Sequence, residues 1–228
     1  MSIRRARTEA RVRRNIDRLC SRFKTYLSVF EKKARFTGPS LYFHSRALAR
    51  RRGKTCRELL ADLSFMEYVY ATLASWGMHR MGSTGAKLVP FQEFTRSLRS
   101  QRRSLERVWP WSIESVTEAQ IEPLWAALRS VRASATQTLL VANSKTLHHL
   151  LPKLIPPIDR EYTLTFFNYW DIGGSDEQIF RYIYSRFQEI ANRCRKTITN
   201  SIGTHPWHTS STKVLDGALV GFVLKELS

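Results

Sequence analysis

Two ionisable side chains stand fourteen positions apart in LLVANSKTLHHLLPKLIPPIDREYT, residues 139–163: Lys145 and Asp159. A fixed carboxylate can stabilise positive charge developing on a substrate and orient an attacking water. A lysine can attack a carbonyl carbon as a neutral amine, or hold a phosphate or a carboxylate as a cation. A surface lysine keeps its proton near neutral pH unless it is desolvated, which favours the second role. The elements that must position this pair are short. A break at Ala142-Asn143-Ser144 is expected to start a helix with Lys145 in its first turn, where a positive charge needs compensation. Pro156-Pro157 cannot continue that helix, and Asp159 is placed to cap the next one. Capping is the plainer reading of Asp159 and stands beside the chemical one.

The order of helix, tight turn, Lys-bearing helix, proline-containing loop and Ile158-Asp159 opening a further helix resembles the core of the helix-hairpin-helix (HhH-GPD-like) DNA glycosylase superfamily. Ile158-Asp159 matches the Val-Asp of that family, and Lys145 falls at or next to its lysine position. The hairpin is about one turn shorter than the family's, and Val141-Ala142-Asn143-Ser144 stands where its glycine-rich turn would be. The resemblance implies a two-lobed helical fold with a cleft between the lobes and a turn at Asn143 and Ser144 that contacts a DNA phosphate through backbone N–H groups. It implies Asp159 at the mouth of a base pocket and Lys145 as the residue that decides between base release alone and additional strand cleavage. SWGMHRMG and KVLDGALVGF are similar to segments of an uncharacterised bacterial branch, which suggests defence against phage DNA carrying modified bases. The expected function is therefore a monofunctional DNA N-glycosylase that excises a modified base, such as a modified cytosine, from duplex DNA, with lyase activity left open. The alternative is a non-catalytic nucleic-acid-binding module.

Composition agrees with a polyanionic partner. Of the 18 excess positive charges on the 228 residues, 14 lie in residues 1–54. Neutralising phosphates with such a surface releases condensed counterions, so DNA is the expected partner. Arg46, Arg50, Arg51 and Arg52 are candidate phosphate contacts, and Tyr42 and Phe43 beside them are suited either to stacking on bases or to anchoring a loop. No run approaches the roughly 20 apolar residues of a membrane span. There is no secretory signal, and Cys20, Cys56 and Cys194 are widely spaced, which points to a reducing, cytoplasmic setting. No cofactor or metal is expected: adjacent helical residues point about 100° apart, so His148 and His149 cannot readily share an ion.

Apolar periodicity gives helices nearly throughout and hardly any strand alternation, which predicts an all-α fold. Ile16, Leu19, Phe23, Leu27 and Phe30 mark one face of a basic helix over residues 1–35. A Thr55-x-x-Glu58 capping box starts a central helix whose stripe runs to Trp76. The turn beyond it supplies Trp76, His79 and Arg80 as candidate cleft residues, with His149 and Tyr162 from the central stretch. Thr117, Ser175 and the run from Val214 open or carry later helices. The expected division is a basic segment, 1–54, and a glycosylase-like core, 55–228, with 115–175 as the lobe holding the hairpin. The protein is expected to act as a monomer.

Overall fold

A computed structural model describes residues 3–33, 37–78, 81–82, 85–136 and 139–227. The fold is all-α, as the periodicity predicts. Its extended elements are a two-residue antiparallel pair, Met81–Gly82 with Gly85–Ala86, and a bridge between Leu88 and Ser134. The chain forms two compact units, one of residues 1–35 with 156–228 and the other of residues 36–155. These boundaries fall elsewhere than 54/55, and the stretch 115–175 is shared between both units.

The first unit starts with α1 (Ile3–Ser21) and α2 (Phe23–Lys33), so the single helix expected over 1–35 is two, joined at Arg22. Val12, Ile16, Leu19, Phe23, Tyr26, Leu27 and Phe30 are buried, which is the face the sequence marked. Far from forming a separate basic arm, α1 is tied into the unit by its charges. Arg11 meets Asp171, Arg18 meets Glu226 at 2.7 Å, and Glu9 receives Arg186 at 2.6 Å. The core helix is α14 (Ser211–Glu226), with Ser210 capping it through the Lys213 amide. It packs most extensively on α2. A Cβ on Gly221 would overlap the Tyr26 carbonyl, and one on Gly217 would stand 3.1 Å from the Phe30 ring, so the two helices approach this closely only over glycine. The segment between is α10 (Thr163–Phe166), α11 (Tyr169–Ile172), α12 (Asp176–Arg193) and α13 (Arg195–Ser201). Ser175 caps α12, whose Ile179, Ile183, Phe187 and Ile190 face inward as their spacing requires.

The second unit runs from α3 (Pro39–Arg51) to α9 (Leu140–Leu150), through α4 (Cys56–Ala61), α5 (Leu63–Leu73), α6 (Phe91–Ser100), α7 (Arg102–Val108) and α8 (Glu118–Ser130). The Thr55–Glu58 capping box forms, but the central helix it opens stops after six residues. Asp62 interrupts it: its carboxylate accepts from the Phe65 amide and caps α5 as a new helix. Asp competes for backbone donors in this way better than it continues a helix. No helix among the described residues is long and apolar enough to cross a membrane.

Candidate functional site

The turn expected at Asn143-Ser144 is not a turn. Helix α9 runs unbroken from Leu140, and Asn143 and Ser144 are fully buried inside it. Asn143 is fit for this because its amide finds acceptors outside its own helix: Nδ2 donates to the carbonyls of Leu128 and Val131, at 3.0 and 2.6 Å. It thus closes the C-terminal end of α8, where carbonyls lack intrahelical donors. Ser144 Oγ donates to the Val141 carbonyl at 3.1 Å, a bond internal to the helix. Neither side chain is displayed to a phosphate. The connection between α8 and α9 is the longer segment 131–139, whose Ala135 amide donates to the Lys87 carbonyl at 2.9 Å.

Because α9 starts earlier than expected, Lys145 sits in its second turn, away from the orphan amides of the helix start. Its ammonium lies 5.6 Å from the centre of the Trp76 ring, a cation–π contact. Trp76 is carried by the extension of α5, Ala74–Met78. Backbone angles at Trp76 (φ −84°, ψ 20°) leave the helix there, and Gly77 (φ 83°) supplies the left-handed conformation that ends it. The indole is half-buried and stands 5.4 Å from His149 and 5.7 Å from His44, centroid to centroid.

Beneath it, three histidines are fully buried: His44 from α3, and His148 and His149 from α9. Their bonding fixes their tautomers. A carbonyl can only accept, so Nδ1 of His148 donates to the Ile155 carbonyl at 2.9 Å, and Nδ1 of His149 donates to the Lys145 carbonyl at 2.8 Å. In the neutral ring Nε2 of His149 is then an acceptor, and Nδ1 of His44 donates to it at 3.1 Å. The ring of His44 also stacks on His148, 5.9 Å away and 5° from parallel. His149, expected in a base pocket, is thus interior and works on the backbone of Lys145. The His44 contribution is missed by sequence reading, for the only signal is one polar residue on the inner face of α3. No group of three or more His, Cys, Asp or Glu among the described residues is arranged to hold a metal ion.

Asp159 belongs to the other unit. Its Oδ1 accepts from the amides of Tyr162 (2.7 Å) and Thr163 (3.3 Å), while its own amide donates to Thr163 Oγ1 at 3.2 Å. It closes the turn leading into α10, the capping role its residue type favours. Among the described residues no hydrogen bond reaches Oδ2, and the residue is half-exposed. Tyr162 in the same turn is also half-buried.

The basic residues on and after α3 divide sharply. The Arg51 guanidinium turns inward: Nε donates to the Leu150 carbonyl at 2.7 Å, at the end of α9, and the plane lies 4.6 Å from the Trp109 ring. The guanidinium thus caps the C-terminal end of α9, and burial lowers its proton affinity. Arg50 is bound in fork fashion by Asp62, at 2.9 and 3.0 Å, and Lys54 reaches the same carboxylate. Burial alone would raise the Asp62 carboxyl, but the bonds from Arg50, Lys54 and the Phe65 amide hold it well below the usual carboxylate range. Arg46 and Arg52 remain on the exposed surface. His79 and Arg80 lie outside the described residues.

No protein-family description, no curated protein and no solved structure matches this chain.

Proposed function

We propose that the protein binds DNA and removes a modified base from it, with Asp159 as the reacting carboxylate. The observation that carries this reading is the fixing of Asp159 by two backbone amides on one oxygen while the other stays open, at the position where the resemblance puts the carboxylate. The excess of 18 positive charges supports a polyanionic substrate.

A base stacked in a duplex must first be rotated out, at a cost of a few kcal/mol. Breaking the bond between sugar C1′ and the base leaves positive charge on the sugar, as in glycoside hydrolysis, and the electron pair departs with the base. Ionised Asp159 stabilises that charge and directs a water to C1′. The water oxygen bonds to the sugar, one of its protons is lost, and the base takes up a proton. Lys145 acts as a cation in this scheme. Modified cytosines of phage DNA are the first substrates to offer.

The second reading, a binding module without chemistry, is favoured by the same bonds, since they make Asp159 a satisfied cap. Asp159→Asn separates the two, because Asn caps about as well as Asp but carries no charge. Purified protein is incubated with duplexes bearing a panel of modified and unmodified bases, and alkali-labile sites are read on a gel. Abasic product that falls roughly a hundredfold or more in the variant, with duplex binding retained, is the expected result. Absence of product from every duplex, with binding intact, leaves the binding module. Lys145→Ala in the same assay is expected to release base as the parent does; loss of strand nicking alone would make the lysine a nucleophile.

A further inference from the structure

Helices α3 and α5 hold between them an open groove of about 420 Å³, lined by Pro39, Ser40, Phe43, Ala71, Ala74 and Ser75. The Ser40 hydroxyl lies 3.5 Å from the Ser75 carbonyl across it. Its walls are almost wholly apolar, yet aromatic rings and arginine stand at its edge. Phe43 meets Tyr42 edge-on at 5.4 Å and lies 6.5 Å from Tyr68 of α5, 30° from parallel. Tyr42 is 57% exposed, far more than a ring of that size shows when its task is to fill a core. Tyr42, Arg46 and Arg50 follow one another at i, i+4 and i+8, so they share one face of α3. The Arg46 guanidinium lies 5.5 Å from the Tyr68 ring centre and reaches its hydroxyl at 3.5 Å. Asp62 pairs with both Arg50 and Lys54 in this region, whereas Arg46 lies beside the Tyr68 ring.

We infer that this row is a stacking site for unpaired nucleotides of a nucleic-acid strand. An apolar floor, one exposed ring backed by two half-buried ones, and a cation at ring height are a combination that takes base faces and follows a phosphate backbone without reading sequence. The net charge of the chain supplies the complementarity for a polyanion. An unpaired strand fits better than a duplex, because base faces are covered inside a helix and open on a single strand. The inference rests on the nucleic-acid partner proposed above but on none of the glycosylase chemistry. Its role would be to hold strand that is already open.

The test uses the full chain and a fluorescently labelled oligo-dT 20-mer, with a duplex of the same length and vesicles containing phosphatidylserine as the other arms. Anisotropy titration of Tyr42→Ala is expected to show roughly tenfold weaker single-strand binding than the parent, within the range of stacking losses on alanine substitution, with duplex binding unchanged. Tyr42→Phe keeps the ring and is expected to retain parent affinity. Arg46→Ala is expected to reduce the slope of log affinity against log salt by about 0.7, the release expected for one phosphate on a single strand. Tyr42 is exposed, so an unchanged melting curve checks that the variants fold. Equal single-strand binding by Tyr42→Ala and the parent overturns the inference, as does a loss confined to the vesicles. Parent protein that releases bases from duplex but ignores the 20-mer removes this site and leaves the glycosylase. Tyr42-dependent binding of the 20-mer with no base release on any duplex does the reverse.

Discussion

Each unit buries a polar cluster, and the two solve the same problem in opposite ways. The second unit buries three histidines joined ring to ring and to the backbone, His44 to His149 to the Lys145 carbonyl, with His148 bonded to Ile155. The first buries an ion pair: Lys213 Nζ lies 2.5 Å from Asp216 Oδ2, with both side chains under a tenth exposed. The rings of Trp207 and Phe30 stand 5.1 and 5.8 Å from the ammonium, and His208 beside them is 3.5 Å from Glu31. The histidine cluster is satisfied ring to ring and by backbone carbonyls, with no opposite charge required. The ion pair gives up the hydration of two charges and recovers it only while both partners are present. The pair should therefore be the more brittle of the two.

Removing one partner from each cluster tests that ranking. Asp216→Ala takes the carboxylate from a buried ammonium and is expected to cost about 3 kcal/mol in denaturant unfolding followed by circular dichroism, the low end for a broken buried pair because two rings still face the charge. Adding Lys213→Met should restore much of that loss. His44→Phe keeps a ring in place but takes the donor from His149 Nε2, and about 2 kcal/mol is expected, the desolvation cost of a buried acceptor. A larger loss for His44→Phe than for Asp216→Ala would invert the comparison. The smallest effect concerns pH. Burial lowers the pKa of His208, against a smaller opposing pull from Glu31. Between its folded and unfolded pKa the unfolded chain binds more protons, so this contribution to stability is full above pH about 6.5 and declines as the pH falls below it. A His208→Gln variant should show a flatter stability profile between about pH 5 and 7 than the parent.

The difference between the clusters also shows what could be read in advance. Apolar spacing was sufficient for α12 and α14, and Thr55 and Ser175 marked helix starts correctly, because these signals are local and act within one turn. The break at Asn143 was misplaced for the complementary reason. Asparagine favours turns when its side chain must bond nearby backbone, and here it bonds the end of α8 instead, a partner twelve to fifteen residues away. Arg50 and Arg51 are adjacent in sequence and indistinguishable by composition, yet one is forked on Asp62 and the other caps α9. Tyr42 and Phe43 are legible as aromatics beside positive charge, but the groove needs Ala71 of α5, and the row of rings needs Tyr68 from the same helix.

The sequence by itself determined the all-α class, the cationic surface and the capping of the turn after Asp159, since each depends on residue types and on neighbours a few positions apart. Only the tertiary structure decided which arginines remain outside, where His44 points, and that Lys145 and Asp159 belong to different units. Those outcomes depend on partners brought from distant segments, and the chemistry of a side chain does not name the partner it will meet.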